Sequence, residues 1–246
     1  MTIQKVANLY VLRIEKRIDQ LKQIFKLDGV DFGVKSAATL SSGESIASPL
    51  PLKSALRRLK MRSRSISRKI EAAKKHDANK KLISNNQKKS ILKLSKLHAR
   101  IANLRADFTH KLSTRLCREN QTIVIEDLHV AGMLKNEKLS RALSDVGFGS
   151  IRRQLEYKAL RYNNQLMIAD RWYPSSKLCS CCHWKNDALT LQERSWRCKN
   201  CNALHDRDVN AAINLKRLAT ETALPVASCL AINDTEMECI LFQAGK

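Results

Sequence analysis

Five acidic residues stand where predicted strands end or where a predicted helix begins: Asp31, Glu126, Asp127, Asp206 and Asp208. An acid on a strand that enters a core is costly unless it is paired or binds a metal. Taken singly, each of these acids is more often a helix cap or a solvated charge. Together they suit phosphodiester cleavage by two divalent cations, which needs several oxygen ligands around ions about 4 Å apart.

Four of the eight cysteines form two Cys-x-x-Cys pairs that are 15 residues apart, Cys179 with Cys182 and Cys198 with Cys201. Two residues between thiolates allow a tight turn that aims both sulfurs at one ion, and four thiolates complete a tetrahedral Zn²⁺ shell. We therefore predict one structural zinc, with free thiols or a redox pair as the alternatives. Cys181 stands between two of these ligands and could compete for the ion.

The remaining cysteines are predicted to be small core residues rather than ligands: Cys117, Cys229 and Cys239. No stretch approaches the roughly 20 apolar residues that a membrane span needs. No small-residue cleavage site follows the short apolar run near the N-terminus, so we predict no signal peptide. The thiols are accordingly expected to be cytoplasmic.

The chain is strongly basic, with a formal net charge of +22 and a pI near 9.9. Such a protein usually meets a polyanion, because each neutralised phosphate releases condensed counterions. A merely basic surface is one alternative. An anionic membrane is the other, but it calls for a basic amphipathic helix with bulky aromatics, and aromatic residues are only 5% of the chain.

Most of the excess charge lies in residues 53–118, which hold 21 lysines and arginines against three acids. Apolar residues recur there at steps of three or four from Ile91 to Leu116, which is helical spacing. A partner helix is indicated by four further apolar residues: Leu56, Leu59, Ile66 and Ile70. We predict a basic helical hairpin that bends at 75–89; a solvated charged face without a partner is the alternative.

The rest of the chain alternates between strand and helix signals. Strands are predicted within 28–47, at 122–126 and at 165–169, and helices around 140–162 and 208–218. Strands followed by alternating helices and strands indicate an α/β fold. Residues 2–15 suit a hairpin, and the tail 219–246 receives no role.

Five segments resemble the insertion-sequence OrfB, or TnpB, family of transposon-encoded proteins: GVDFGVKSAATLSSG, IVIEDLHVAGML, RQLEYKA, DRWYPSSKLCSCC and HDRDVNAAINL. The resemblance runs from about residue 28 to 218. Members of this family are usually described as transposases, act as RNA-guided DNA endonucleases and are related to type V CRISPR effectors. The resemblance implies an α/β fold, namely an RNase H-like (RuvC) mixed sheet over 28–218, with the helical hairpin (53–118) and a zinc ribbon (175–204) inserted.

By this resemblance Asp31, Glu126 and Asp208 match the acids of the three RuvC motifs and would hold two catalytic Mg²⁺ ions. The ribbon cysteines of the family correspond to the four predicted zinc ligands. Candidate nucleic-acid contacts are four basic residues near these motifs: Lys35, Arg171, Lys177 and Arg207.

The sequence also departs from the family. Family members carry a long N-terminal part that handles guide RNA and target duplex, whereas about 27 residues precede the first motif here. Residues 1–27 resemble only the final strands of that part, a remnant β-hairpin. His183 and Asn202 replace glycines that commonly follow the second and fourth cysteines, and Asp28 replaces an apolar residue, which would weaken the sheet edge.

Three functions fit these observations. The leading prediction is a metal-dependent DNA endonuclease linked to transposition and recombination, which is RNA-guided in full-length relatives. The second is a nucleic-acid-binding accessory or regulatory fragment without cleavage, and the third is a decaying transposon fragment. DNA is the expected partner, no membrane is expected, and the expected location is the nucleoid in a prokaryotic cytoplasm.

Overall fold

The computed structural model describes residues 26–76, 83–190 and 192–222. The predicted hairpin at 2–15 and residues 223–246 lie outside this range. In chain order the elements are β1 (Leu27–Asp31), β2 (Ser36–Leu40), β3 (Ser45–Ala47), α1 (Pro51–His76), α2 (Asn85–Glu119), β4 (Thr122–Glu126), α3 (Val130–Leu134), α4 (Ser140–Val146), α5 (Phe148–Tyr162), β5 (Gln165–Ala169), β6 (Ser195–Arg197), β7 (Leu204–Asp206) and α6 (Arg207–Thr222).

The main sheet is mixed and has the strand order β3-β2-β1-β4-β5. The strands β1, β2 and β3 form an antiparallel meander, and β1, β4 and β5 run parallel to one another. The central residues of β1 and β4 are buried on both faces, as is usual for parallel strands that helices cover. The predicted mixed α/β sheet is therefore confirmed, and its strands match the predicted ranges except that β1 begins one residue earlier, at Leu27; the short pair of β6 and β7 was not predicted.

Helices α2 and α5 cover one face of the sheet. Ile123 and Ile125 of β4 point to this face and pack with fully buried residues of both helices, namely Leu116 of α2 and Ile151 and Leu155 of α5. The two isoleucines are two positions apart, so they share a face of the strand. This layer holds the largest part of the core.

Helix α6 covers the opposite face, where Val124 packs with Leu215. The helix comes very close to β1 at Gly29. A Cβ atom at this position would lie 2.1 Å from the main-chain oxygen of Ala212 and 2.5 Å from the main-chain nitrogen of Lys216. Only glycine allows this approach, so Gly29 sets the distance between α6 and the centre of the sheet.

Helices α1 and α2 form the predicted hairpin, and they are antiparallel because Leu59 of α1 packs in one cluster with Leu97 of α2 while Lys69 reaches Ser90. Helix α2 begins at Asn85 because Ser84 and Gln87 form a capping box. The apolar seam is shorter than predicted, since three of its predicted members are between 42% and 44% exposed: Ile70, Ile91 and Leu104. The buried apolar residues shared by the two helices are Ala55, Leu59, Leu97 and Ile101.

A buried acid fixes the base of the hairpin. Asp145 of α4 accepts hydrogen bonds from the main-chain nitrogens of Leu52 (2.9 Å) and Lys53 (3.0 Å), at the start of α1. It also pairs with Arg105 of α2 at 2.8 Å. The predicted single helix over 140–162 is wrong, because Gly147 adopts a φ of +75° and separates α4 from α5.

Asp28 is buried and its carboxylate is satisfied. Its Oδ1 accepts hydrogen bonds from the main-chain nitrogen (3.0 Å) and the Oγ (2.5 Å) of Ser41. The prediction that Asp28 weakens the edge of the sheet is wrong, because β1 is the central strand and not an edge strand. The acid instead ties the turn between β2 and β3 to β1.

Candidate active site and metal cluster

Asp31 and Glu126 lie at the carboxyl ends of two neighbouring parallel strands. Val30 of β1 pairs with Ile125 of β4, so the next residue of each strand reaches the same edge of the sheet. Both acids are half-buried. In open α/β sheets this edge is where ligands commonly bind.

Asp208 joins these two acids from α6. It lies in the first turn of the helix, and the close packing of α6 on β1 brings it into the electrostatic neighbourhood of Asp31. Two arginines contact the Asp208 carboxylate at 3.3 Å, Arg194 through Nη1 and Arg207 through Nη2. Asp208 thus lies near Asp31 and is paired with two arginines.

Asp31 is perturbed both by its burial and by the two other acids. Burial raises the pKa of Asp31 to about 8, and the negative charges of Glu126 and Asp208 add to this rise. Burial also raises the pKa of Glu126, although a hydrogen bond from the Ser175 hydroxyl to its Oε1 opposes the shift. No side-chain hydrogen bond or ion pair to the Asp31 carboxylate occurs within the part of the chain that the structure describes. Hard oxygen donors in one neighbourhood suit a divalent cation, although in the described residues the three acids do not form a group whose ligand oxygens all lie within 4.8 Å of one another.

Two buried asparagines of α6 position the loop that carries Ser175. The side-chain nitrogen of Asn214 donates to the main-chain oxygens of Ser175 and Leu178, both at 2.7 Å. Asn210 donates to the same oxygen of Leu178 at 2.6 Å and accepts from the main-chain nitrogen of Ser180 at 2.9 Å. Neither asparagine was predicted from the sequence. Their signal was a spacing of four positions in a helix that is otherwise apolar on that side.

The two remaining acids of the predicted set have other partners. Asp127 pairs with Arg152 and Arg171, and the hydrogen bond from Arg152, followed by that from Arg171, lowers its pKa. Asp206 accepts from the main-chain nitrogens of Asp208 and Val209, both at 3.0 Å, and so caps α6. These two acids fill the structural roles that are usual for acids at such positions.

The four predicted zinc ligands come together. The Sγ atoms of Cys179, Cys182, Cys198 and Cys201 all lie within 4.8 Å of one another, so the cluster could bind one zinc ion. Each pair closes a tight turn. The main-chain nitrogen of His183 donates to the main-chain oxygen of Cys179, and that of Asn202 donates to the main-chain oxygen of Cys198, both at 2.9 Å. His183 and Asn202 have φ angles of +63° and +62°, the left-handed conformation that glycine adopts most easily.

A histidine that was not predicted from the sequence adjoins this cluster. His205 is buried against Trp196, and its Nε2 lies 3.1 Å from the Sγ of Cys179. Cys179, Cys181 and His205 form a second group that could hold a metal, so the competition predicted for Cys181 stays open. Cys117 is buried in the main core, as predicted.

The four candidate nucleic-acid contacts are dispersed. Arg171 and Lys177 line a cleft of about 540 Å³ that also contains Glu126. Arg207 adjoins Asp208 on α6. Lys35 lies apart, in another cleft of about 520 Å³ beside Lys53 at the base of the helical hairpin. Their role in binding stays a prediction.

Residues 11–137 match the OrfB family model that is described as "Probable transposase". This match covers more than half of the chain. The chain belongs to the OrfB (TnpB) family. Residues 148–215, which include the cysteine cluster and Asp208, also match the "Cas12f1-like, TNB domain" model.

Curated relatives agree with this assignment. The OrfB chain is 48% identical over 76% of its length to a protein from Streptomyces pristinaespiralis, and this relative is named "Putative RNA-guided DNA endonuclease". It is 31% identical over 76% of its length to InsQ of Escherichia coli (strain K12), which carries the same designation. The chain spans 44% and 47% of the lengths of these two relatives.

Two solved structures share the fold of this OrfB chain. The Cas12f chain of a CRISPR-Cas12f ternary complex matches 78% of the chain with a TM-score of 0.55 and 20% identity, and 38% of that chain is covered. A Cas12f1–sgRNA–target DNA complex matches 78% with a TM-score of 0.50 and 17% identity, and 49% of that chain is covered. None of the helices in the described ranges is long and apolar enough to cross a membrane.

Proposed function

We propose that this OrfB protein is a metal-dependent DNA endonuclease with an RNase H-like (RuvC) domain that spans about 28–218. Asp31, Glu126 and Asp208 are its metal ligands and hold two Mg²⁺ ions. The ribbon over 175–204 carries one structural zinc. The names of the relatives, which describe DNA endonucleases, support this function.

The observation that supports the proposal is that three acids from distant parts of the chain come to the neighbourhood of one sheet edge, where Glu126 and Asp208 both act on Asp31. Two of them end adjacent parallel strands, and the third begins the helix that packs on β1. The strand order, with an antiparallel meander beside three parallel strands, agrees with an RNase H-like sheet. Since the acids repel one another, a bound cation would stabilise the arrangement.

The residues present fit magnesium, which prefers carboxylate oxygens. When bound, the ions would activate a water for attack on the phosphodiester and stabilise the leaving oxygen. The protein's own residues orient the ligands. Ser175 holds one oxygen of Glu126, and Asp206 caps the helix that presents Asp208. Arg194 and Arg207 place positive charge beside Asp208, where a phosphate of the substrate would approach.

The proposed substrate is DNA, and the exposed basic side of α1 and α2 follows its backbone. The names of the relatives describe RNA-guided enzymes. We propose that the cleavage to which this chain contributes is likewise guided by RNA. The link to transposition follows from the same membership.

A second candidate is a nucleic-acid-binding module without cleavage, with an accessory or regulatory role. The observation that favours it is the net charge of +22, which suits binding of a polyanion whether or not the strand is cut. In this case the acids would be retained without a catalytic role.

Cleavage of single-stranded DNA by the purified, zinc-loaded chain in Mg²⁺ separates the candidates. We expect Asp208→Ala and Glu126→Ala each to abolish cleavage while DNA affinity stays close to that of the wild type. Asp107→Ala is the matched control, because Asp107 is an exposed acid of α2 that pairs with Lys111 at the surface.

A folded wild-type chain that binds DNA but leaves it intact in both Mg²⁺ and Mn²⁺ would establish the second candidate instead. Loss of affinity together with cleavage in the two acid variants would show that these residues serve folding or binding rather than catalysis.

A further inference from the structure

Trp172 is unusually exposed for a tryptophan. Its side chain is 84% accessible, whereas Trp196 is buried at 6% and Trp184 packs partly against the same cysteine-cluster core. A large apolar ring left in water has no stabilising role in the folded chain, and exposed aromatic surface often marks a binding site. The exposed ring of Trp172 is therefore a candidate binding contact.

A rigid turn presents the ring. The main-chain nitrogen of Trp172 donates to Oδ1 of Asp170 at 2.8 Å, and that of Tyr173 donates to the main-chain oxygen of Asp170 at 3.0 Å. The hydroxyl of Tyr173 in turn donates to the main-chain oxygen of Asn214 at 3.2 Å. The turn is thus fixed to α6, so the main chain that carries the ring is held in place before a ligand arrives.

The ring stands at the rim of the candidate active site. Trp172 lines the cleft of about 540 Å³ that contains Glu126. It also lines a neighbouring cleft of about 450 Å³ beside Arg152. Arg171 belongs to both clefts, and Lys177 lies in the first. A flat aromatic surface therefore lies beside cationic side chains in the cleft that contains Glu126, one of the proposed metal ligands.

We propose that Trp172 stacks on an unpaired base of the DNA strand that enters this cleft, and that it thereby favours single-stranded over duplex DNA. This proposal rests on the proposed function for the identity of the polymer. Every base offers a face for stacking whatever its sequence, and basic side chains track the phosphates between stacked bases. In a duplex both faces of each base are already covered by its neighbours, so a single protruding ring finds a partner only on an unpaired strand.

Affinity for a short mixed-sequence DNA strand tests the proposal in the full chain, without added Mg²⁺ so that no cleavage occurs. We expect Trp172→Ala to weaken binding roughly 5- to 150-fold, the loss expected for one stacked base, and Trp172→Phe to retain most of the affinity. Leu160→Ala is the matched control, because Leu160 is 85% exposed but lines neither cleft.

A strand with the same phosphates but no bases identifies the stacking contact. Wild-type protein should bind this abasic strand more weakly, and Trp172→Ala should add no further loss, which is the coupling expected when the ring and a base interact directly. Quenching of tryptophan emission by single-stranded DNA should fall strongly in Trp172→Phe, because Trp196 is buried and Trp184 is partly buried against the cysteine-cluster core.

Equal affinity of wild type and Trp172→Ala for the base-containing strand would overturn the stacking proposal, whatever the cleavage assay gives. Equal losses on normal and abasic strands would also overturn it, since they would show that the ring supports the loop or contacts the sugar and phosphate. Stacking without cleavage in Mg²⁺ would instead disprove the nuclease function and leave this inference standing.

Discussion

Asp31 is the residue at which the proposed chemistry and the stability of the protein conflict most directly. Its carboxyl group is enclosed by the sheet and by α6, close to two other acids, and its pKa is raised to about 8. A group held in this way favours its neutral form until a cation arrives. The site therefore has a measurable cost in the metal-free protein.

This cost predicts how stability depends on pH. In metal-free protein the folded state keeps a proton on Asp31 up to about pH 8, whereas the unfolded chain releases it near its ordinary pKa of 3.8. The folded state then binds more protons in this range, so its stability falls as the pH rises from about 4 to 8. Asp31→Asn should remove this slope and raise the free energy of unfolding at pH 8 by roughly 1–3 kcal/mol.

Thermal unfolding at several pH values, with and without Mg²⁺, measures this effect. The variant should also lose the stabilisation that Mg²⁺ gives the wild type, which should itself be larger at pH 8 than at pH 5. A variant that is destabilised equally at both pH values would contradict the electrostatic origin of the shift.

At the scale of residues, the sequence predicted what local spacing determines. The two Cys-x-x-Cys pairs could be recognised as one cluster because each pair closes its own turn. Strand and helix ends indicated five acids, the family resemblance selected Asp31, Glu126 and Asp208 among them, and their catalytic role stays a prediction. Ser175 and His205 were not predicted, because each contacts its partner from a segment that is distant in sequence. Ser175 contacts Glu126, and His205 contacts Cys179.

At the scale of elements, the position of α6 against β1 controls where Asp208 lies. Gly29 permits main-chain contact between the two elements, and the asparagines of α6 hold the loop before the cysteine cluster. A change of a few tenths of an ångström at Gly29 is therefore transmitted directly to the proposed metal ligands.

We expect Gly29→Ala to destabilise the protein by about 1–3 kcal/mol, because the new methyl group overlaps the backbone of α6. Cleavage should fall further than this stability loss explains, since the helix can accommodate the methyl group only by moving Asp208. Denaturant unfolding beside a cleavage assay measures both effects. The control is Gly149→Ala in α5, where a Cβ atom meets nothing within 4 Å and should change stability by no more than about 1 kcal/mol.

If Gly29→Ala were as stable and active as the control, the close approach of α6 to β1 would not exist in solution. The sequence did not reveal this contact, although it contains the glycine, because the pairing of a helix with a strand far along the chain has no local signature. The same limit explains the helix break at Gly147 and the exposed end of the hairpin seam. Local periodicity predicts a helix but not which elements cover it.

At the scale of the whole molecule, the main feature is the excess of positive charge. The net charge of +22 is concentrated in the sequence of α1, α2 and the segment between them. The hairpin is fixed to the sheet at its base through Asp145, and it carries its exposed arginines and lysines away from the core. A polyanion bound along it would release counterions, so affinity must depend steeply on salt.

Replacing Arg57, Arg58 and Lys60, which are exposed on α1, by glutamine should weaken DNA binding at low salt. The slope of log affinity against log salt should decrease by about 1 for each phosphate that the variant no longer neutralises. Fluorescence anisotropy over a salt series measures both. Lys111→Gln is the control, since Lys111 is already paired with Asp107. An unchanged slope in the triple variant would place the DNA elsewhere.

Composition predicted this behaviour in general terms, and the alternation of strands and helices predicted the sheet. What the sequence could not reveal is the direction in which the hairpin leaves the sheet, because that depends on Asp145 and Arg105 meeting from separate helices.

The main-chain nitrogen of Ser180, the residue after Cys179, donates a hydrogen bond to Asn210. Asn210 lies two residues after Asp208 on the same helix. This hydrogen bond connects the segment of the proposed zinc ligands to the helix that carries the proposed magnesium ligand Asp208. A newly made chain that has not captured zinc would hold its last acid less firmly, and starvation for one ion would weaken the use of the other. The cutting capacity of such a protein in a cell would follow the supply of zinc, although the chemistry itself would need only magnesium.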